Sequence, residues 1–228
     1  MSLVAAVIGA SGGIGAALVA ALRRDGRYAE VVAISRASAP ALDLEDEASI
    51  RASAADLATR GELRLVIDAT GFLHGQGFEP EKSWRSLDPA HMAKSFALNA
   101  IGPALLMKHL LPLLPRAEKS VFATLSAKVG SISDNRLGGW YSYRASKAAL
   151  NQLVRTAAIE LRRTRPDAIC VAVHPGTVAS ALSAPFAKTG LDVQTPHEAA
   201  TQILSCLDAL APEQSGGFFD RSGAPLPW

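Results

Sequence analysis

Hydrophobic residues along this chain form short continuous runs that are separated by longer stretches with helical spacing. Leu3 to Ile8 is a continuous apolar run of strand length, and Ile14 to Leu22 carries Ala and Leu at helical intervals. The same pattern recurs to the end of the chain. Strands are predicted at 3–8, 30–35, 42–44, 63–68, 120–126, 168–173 and 217–220. Helices are predicted at 14–22, from the acidic residues 43–47 to about 59, and at 90–114, 143–163 and 196–211.

Apolar strands that alternate with helices are typical of a parallel sheet covered on both faces. The chain has no internal repeat and no Pro- or Ser-rich linker. We therefore predict one domain over residues 1–228, an α/β doubly wound sheet of about seven strands. Ligands of such sheets bind beyond the carboxyl ends of the strands.

The first 22 residues need a separate interpretation, because no charged side chain occurs from Ser2 to Leu22. A run of ~20 uncharged residues is long enough to cross a bilayer. However, no Lys or Arg precedes it, as a secretory signal would require, and four glycines interrupt it. A strand, a glycine turn and a helix are predicted instead.

The charge balance and the cysteine and histidine content limit the kinds of ligand and partner that this protein is expected to bind. The 228 residues carry 23 basic and 21 acidic side chains, a net charge of +2, so neither nucleic acid nor an anionic membrane is the expected partner. The two cysteines, Cys170 and Cys206, cannot form a disulfide framework. The five histidines lack metal-ligand spacing, so no metal is expected. We expect a cytoplasmic protein with a small-molecule ligand.

The glycine turn joins the first strand to the first helix. Its spacing, G-x-x-x-G-x-G, allows a tight turn and brings backbone amides of the helix N-terminus close to a pyrophosphate. The predicted contacts are Gly9, Ser11, Gly12, Gly13, Ile14 and Gly15.

The end of the second strand indicates which dinucleotide is bound. An acidic side chain there bonds the ribose of NAD, and a basic one accepts the 2′-phosphate of NADP. The residues present are Ser35 and Arg36. NADP(H) is therefore favoured, with NAD(H) as the alternative.

Tyr143 and Lys147 are four residues apart on the predicted long helix, so they share one face. A phenol has a pKa of ~10 and transfers protons poorly at neutral pH unless a cation stabilises the phenolate. Lys147 is expected to be that cation.

Taken together, these motifs resemble the short-chain dehydrogenase/reductase family in its single-domain Rossmann form. The resemblance covers nearly the whole chain, and within the family it is greatest to the C-factor and sniffer-like carbonyl reductases. The motifs that carry it are Gly9-x-x-x-Gly13-Ile14-Gly15, Asp43-Leu44, Asp68-Ala69-Thr70-Gly71, Asn99, Gly130-Ser131-Ile132, Tyr143-x-x-x-Lys147 and Pro175-Gly176-Thr177-Val178.

The resemblance implies a role for each matching residue. Tyr143 would exchange a proton with the substrate oxygen, Lys147 would lower the Tyr143 pKa and hold the nicotinamide ribose, and Asn99 would hold a water in a relay to Lys147. An Asn at a helix kink is the structural alternative. Further cofactor contacts are implied at Ser35, Arg36, Asp43, Leu44, Ala69, Thr70, Gly71, Asn99, Pro175, Gly176 and Val178.

The catalytic serine is where the sequence departs from the family. The usual Ser-Ser pair is Ser126-Ala127 here, so alignment on Gly130 puts alanine at the catalytic position. Ser131 and Ser126 are the two candidates for the hydroxyl. Ser131 is preferred because of its distance along the chain from Tyr143.

The expected substrate contacts are His74 and Trp140, with a short lid around 180–196, and a homodimer or homotetramer is expected from the family. The implied activity is NADP-dependent reduction of an aldehyde or ketone. A non-catalytic dinucleotide-binding regulator on the same fold is the alternative, and the alanine at 127 favours it. A nucleotide-sugar epimerase or dehydratase would need a further substrate domain.

Overall fold

The computed structural model describes residues 2–75, 77–180, 182–186 and 193–228. The strands in these ranges are β1 (Leu3–Ile8), β2 (Glu30–Ile34), β3 (Glu62–Asp68), β4 (Ser120–Leu125), β5 (Ala168–His174), β6 (Thr177–Val178), β7 (Val193–Gln194) and β8 (Phe218–Asp220). Six of them form a parallel sheet in the order β2-β1-β3-β4-β5-β8, and β6 pairs with β7. The strand order reverses beside β1, where a doubly wound sheet places its ligand crevice.

Helices pack on both faces of this sheet. They are α1 (Gly13–Asp25), α2 (Glu47–Leu57), α3 (Pro89–Phe96), α4 (Gly102–Leu110), α5 (Tyr141–Leu161) and α6 (Pro196–Ala209). Successive side chains of a strand point to opposite faces, so Ala5 and Val7 of β1 pack with α1 and α6. Val4, Ala6 and Ile8 pack with α2, α4 and α5. The predicted α/β doubly wound fold is confirmed.

The main sheet has six strands rather than about seven, because residues 42–44 do not form a strand. Leu42 and Leu44 are buried, and the Leu42 N–H donates to the carbonyl of Ser35 (3.0 Å). Leu44 packs under α4, where a β carbon added to Gly102 would lie 2.7 Å from the Leu44 Cβ. These leucines are buried in the core, and a run this short does not distinguish such burial from strand pairing. The other predicted ends agree with the structure within a few residues.

The predicted helix over 90–114 is one helical stretch in which the hydrogen-bond pattern changes along its length. A π turn, Ala97–Ile101, separates α3 from α4, and a 3-10 turn ends the stretch at Leu111–Leu113. By length and composition alone, Pro89–Leu113 could cross a membrane. In the structure Leu106 and Leu110 are buried in the core, so the apolar side of this helix is already covered by protein.

Candidate active site

Two adjoining cavities, of about 560 and 460 Å³, open at the carboxyl ends of β1, β3 and β4. We call them together the cleft. Residues shared by both cavities make it continuous: Gly12, Arg36, Ala69, Thr70, Gly71 and His74. The outer cavity reaches the end of β2, and the inner cavity reaches Tyr143 and Lys147. The cleft therefore has the location expected for an extended ligand at the reversal of strand order.

Most of the predicted cofactor contacts line this cleft. They are Gly9, Ser11, Gly12, Gly13, Ile14, Gly15, Ser35, Arg36, Asp43, Leu44, Ala69, Thr70, Gly71, Tyr143, Lys147 and Pro175. Asn99, Gly176 and Val178 are not among the lining residues. Val178 is buried in the β6 strand, and Gly176 (φ +81°) faces the side chain of Arg221.

The glycine turn forms a concave backbone surface beneath the cleft. A β carbon added to Gly15 would lie 2.2 Å from the Gly9 carbonyl oxygen, and Gly9 itself has φ +80°. Gly12 is the N-cap residue of α1, without a side-chain cap, and the first turn contains no acidic residue. The amides at this helix start are consequently available to a phosphate, and a dinucleotide fits the turn.

Arg36 is the basic residue at the outer end of the cleft. It is exposed, lines both cavities, and has no carboxylate within ion-pair distance in the described part of the chain. The nearby acids already have partners: Glu45 pairs with Lys94 (2.6 Å), and the Asp43 carboxylate accepts the Glu45 N–H (3.0 Å). The guanidinium can therefore bind an anion entering this end of the cleft.

Tyr143 and Lys147 lie at the inner end, one helical turn apart on α5 and both buried. The Lys147 Nζ donates to the carbonyl oxygen of Leu125 (2.8 Å), at the end of β4. It lies 6.0 Å from the centroid of the Tyr143 ring. No described residue hydrogen-bonds the Tyr143 hydroxyl, so this group is available to a ligand.

Burial is the largest influence on the pKa values of both members of this pair. Burial raises the pKa of Tyr143 to about 12. Burial also lowers the pKa of Lys147 to about 8, although the Asp68 carboxylate acts in the opposite direction. The Lys147 Nζ lies 6.0 Å from the centroid of the Tyr143 ring, and its lowering of the Tyr143 pKa stays a prediction. Tyr143 is thus a protonated phenol at neutral pH.

Asn99 lies in the π turn and is fully buried. Its Oδ1 accepts the N–H of Phe72 (2.8 Å), and its Nδ2 donates to the Phe72 carbonyl (2.7 Å) and to the Ser146 hydroxyl (3.1 Å). The side chain thus joins the turn after β3 to α5. Because Pro103 lacks an N–H, the backbone carbonyl of Asn99 also loses its usual helical donor.

The two candidate serines lie in different surroundings. Ser126 lines the inner cavity, and its hydroxyl donates to Asn151 Oδ1 (2.7 Å). Ser131 is buried outside the lining of the cleft, and its hydroxyl accepts the N–H of Asp134 (3.2 Å) in a turn. Ala127 packs against Tyr143 in an apolar cluster. Ser126, and not the preferred Ser131, therefore shares a cavity with Tyr143.

Apolar and aromatic side chains pack around Tyr143. Trp140 lies edge-on to Tyr143 (6.2 Å between centroids) and to Phe186 (5.2 Å). His74 lines both cavities and lies 5.3 Å from Phe186. Of the expected lid, positions 181 and 187–192 lie outside the described residues. The two predicted substrate contacts, His74 and Trp140, thus lie around the inner end of the cleft.

Sequence reasoning missed three contributors to this site. The carbonyl of Leu125 is a backbone group, which any residue type could supply. Leu182 lines the inner cavity from a segment without a motif. Glu81 contacts the start of α5 from a loop, and only the structure brings these distant segments together. Within the described ranges, no three His, Cys, Asp or Glu side chains are grouped as a metal site would require.

The sequence matches the short chain dehydrogenase family over residues 3–190. It is 37% identical over 144 residues to the C-signal protein of Myxococcus xanthus, covering 62% of this chain and 81% of that protein. It is 32% identical over 212 residues to a 1-hydroxy-2-glutathionyl-2-methyl-3-butene dehydrogenase of Rhodococcus sp. strain AD45, covering 92% and 88% respectively.

Among solved structures, the fold is similar to an NADPH-bound carbonyl reductase from chicken fatty liver. The TM-score is 0.84 at 26% identity, and the match covers 100% of both chains. The resemblance to the C-factor and carbonyl reductase branch is therefore confirmed. With a family match over most of its length and a relative 32% identical across 92% of it, this chain belongs to the short chain dehydrogenase family.

Proposed function

We propose that this protein reduces an aldehyde or a ketone to the alcohol with NADPH. The observation that carries the proposal is the protonated hydroxyl of Tyr143 in the inner cavity. This hydroxyl has no hydrogen-bond partner among the described residues and carries the proton that reduction of a carbonyl requires. Lys147, one helical turn along, is placed to stabilise the phenolate that forms when the proton leaves. Oxidation of an alcohol would require the phenolate.

Bound NADPH would supply the hydride, and the protein would supply orientation and the proton. The glycine turn would hold the pyrophosphate, and Lys147 would hold the hydroxyls of the nicotinamide ribose. The carbonyl of Leu125 fixes the Lys147 ammonium in the inner cavity, so the cation needs little reorganisation when it binds these hydroxyls.

The proton would pass from the Tyr143 hydroxyl to the substrate oxygen. Lys147, with a pKa of about 8, can then return a proton to the tyrosine at neutral pH. The carbonyl of Asn99, which lacks its usual helical donor, would hold a water next to this lysine. The aromatic ring of Trp140 and the apolar cluster around Tyr143 would exclude other water from the substrate.

The preference for NADPH rests on Arg36. Its guanidinium has no described carboxylate partner and is suited to a 2′-phosphate, while the neighbouring acids are engaged elsewhere. The chicken carbonyl reductase, 26% identical, was solved with NADPH bound.

A non-catalytic dinucleotide-binding regulator is the second candidate. One observation favours it: alanine stands at position 127, where the family usually carries its catalytic serine, and packs against Tyr143. The buried lysine and the free tyrosine hydroxyl favour the enzyme. A cytoplasmic location stays a prediction from composition, and a homodimer or homotetramer stays a prediction from the family.

The two candidates differ in whether NADPH is consumed. Purified protein is assayed for NADPH oxidation with a panel of aldehydes and ketones, alongside Tyr143→Phe. For the enzyme we expect turnover with at least one carbonyl, and a loss of about 10²-fold or more in kcat in the variant while its NADPH affinity is retained. NADPH binding without turnover of any panel member would instead support the regulator.

A further inference from the structure

Glu81 is a buried carboxylate outside the residues that line the cleft. It is 3% exposed and lies in the loop between β3 and α3, about 60 residues before α5 in the sequence. Its side chain and its backbone carbonyl both contact the first residues of α5. Burial of a carboxylate is costly unless hydrogen-bond donors surround it, so these donors define what the residue does.

The helix α5 begins without a cap of its own. Its N-cap residue, Trp140, has φ +52° and makes no side-chain capping bond, and the first turn contains no acidic residue. Glu81, which is distant in sequence, supplies the missing capping contacts. The N–H of Ser142 donates to both carboxylate oxygens (3.3 and 3.2 Å), the Ser142 hydroxyl donates to Oε1, and the N–H of Trp140 donates to the Glu81 carbonyl. A negative charge at a helix N-terminus is also favourable.

A second side chain lies next to the Glu81 carboxylate. His91, on α3, has its Nδ1 3.5 Å from Glu81 Oε1 and is 2% exposed. Its ring stacks on Phe78 (5.1 Å between centroids, 7° between planes). The start of α3 is itself fixed, because the Asp88 side chain accepts the His91 N–H (2.9 Å). Glu81 thus lies between α3 and α5, and its hydrogen-bond donors come from the start of α5.

The residues that Glu81 holds flank the proton donor. Ser142 immediately precedes Tyr143, and the Trp140 ring packs on the Tyr143 ring. Lys147, one turn further along, has its own anchor on β4 through the carbonyl of Leu125. Loss of the Glu81 contacts should therefore displace Tyr143 and Trp140 more than Lys147.

We propose that Glu81 is a positioning residue for Tyr143: it caps α5 from the loop after β3 and so sets where the phenol and the Trp140 ring stand. This inference rests on the proposed reductase function. The proposal also predicts that kcat changes more than the KM for NADPH. The cofactor would be held by the glycine turn and Lys147, and Glu81 does not touch either.

The decisive variant is Glu81→Gln, which keeps the size of the side chain but puts an amide donor against the Ser142 N–H. A displacement of about 1 Å at a reacting group can cost ~10²-fold in rate, so we expect kcat to fall by at least about tenfold. The KM for NADPH should change less than about twofold. The separate variant Glu81→Asp, which keeps the charge, should have a higher kcat than Glu81→Gln.

The matched control is Glu198→Gln, the same change at the start of another helix. Glu198 is exposed and accepts the N–H and hydroxyl of Thr195 (both 2.8 Å) at the N-terminus of α6. We expect it to lower the thermal unfolding midpoint while leaving kcat within about twofold. An equal loss of kcat in both variants, or a Glu81→Gln enzyme with kcat within about twofold of the wild type, would overturn the positioning role.

Amide hydrogen exchange separates this proposal from the proposed function, because it needs no turnover. In the NADPH-bound protein, Glu81→Gln should accelerate exchange over residues 140–146 and leave residues 150–160 unchanged. If the wild-type protein reduces no carbonyl, the proposed function fails while this measurement still stands. If exchange over 140–146 is unaltered, the positioning role of Glu81 is wrong whatever the turnover.

Discussion

Substitution of Gly15 by alanine tests whether the cleft depends on the close approach inside the glycine turn. The new β carbon would lie 2.2 Å from the Gly9 carbonyl oxygen and 2.8 Å from its carbonyl carbon. Side-chain β carbons do not come within 3.0 Å of other atoms, and both of these neighbours are backbone. The start of α1 must therefore move away from the end of β1.

Overpacking of this kind costs ~1–3 kcal/mol and occasionally more. In a chain of this size each kcal/mol lowers the unfolding midpoint by roughly 2–4 °C, so we expect a decrease of about 2–12 °C without ligand. Because the displaced amides are those that face the pyrophosphate, the Kd for NADPH should also rise at least about tenfold, or ~1.4 kcal/mol. Differential scanning fluorimetry and NADPH fluorescence titration measure the two effects.

Gly13→Ala is the control for this prediction. Its β carbon would meet only Pro196 Cγ at 3.5 Å and Ser180 Cβ at 3.8 Å, which are ordinary contacts. An alanine inside a helix is favoured over glycine by up to ~1 kcal/mol, so the unfolding midpoint should stay or rise. Equal midpoints for the two variants, or a Gly15→Ala protein that unfolds within about 2 °C of the wild type, would refute the steric argument.

Three further outcomes are expected. Replacing Arg36 with Glu should reduce the ratio of kcat/KM for NADPH to that for NADH by about tenfold or more, because a charged hydrogen bond of ~1.5–3 kcal/mol is lost. An unchanged ratio would show that Arg36 does not bind the 2′-phosphate. The kcat/KM for carbonyl reduction is measured from pH 6 to 10 and should fall as the pH rises through about 8, because Lys147 loses its proton there. A profile that stays flat to pH 9.5 would contradict this role of the cation. Ser126→Ala should lower kcat by about tenfold and Ser131→Ala by less than about threefold. A kcat within about threefold of the wild type in both variants would mean that neither hydroxyl acts on the substrate.

Much of the architecture could be predicted from sequence, because burial on both faces leaves continuous apolar runs such as Leu3–Ile8. The glycine turn and the Tyr143–Lys147 pair are also local patterns with a fixed geometry. The run at 42–44 shows the limit of this reasoning. Leu44 is as apolar as a strand residue, but it packs against Gly102 of α4, which lies some 60 residues away in sequence.

The remaining details depend on burial and on contacts between distant segments. Spacing correctly predicts that Lys147 and Tyr143 share a helical face, but the pKa of the phenol depends on how much water the fold removes from it. Sequence spacing favours Ser131, whereas the fold turns its hydroxyl into a local turn and brings Ser126 to the cavity. Neither outcome is encoded in nearby residues.

The contact between Lys147 and the backbone carbonyl of Leu125 affects which substitutions the site tolerates. Position 125 holds the ammonium through a backbone atom, so its side chain is free to vary with the packing of the sheet. No side-chain substitution there removes the acceptor, and comparison of homologous sequences would not reveal it. Redesign of the core beneath the site can therefore alter residue 125 as long as the path of β4 is preserved.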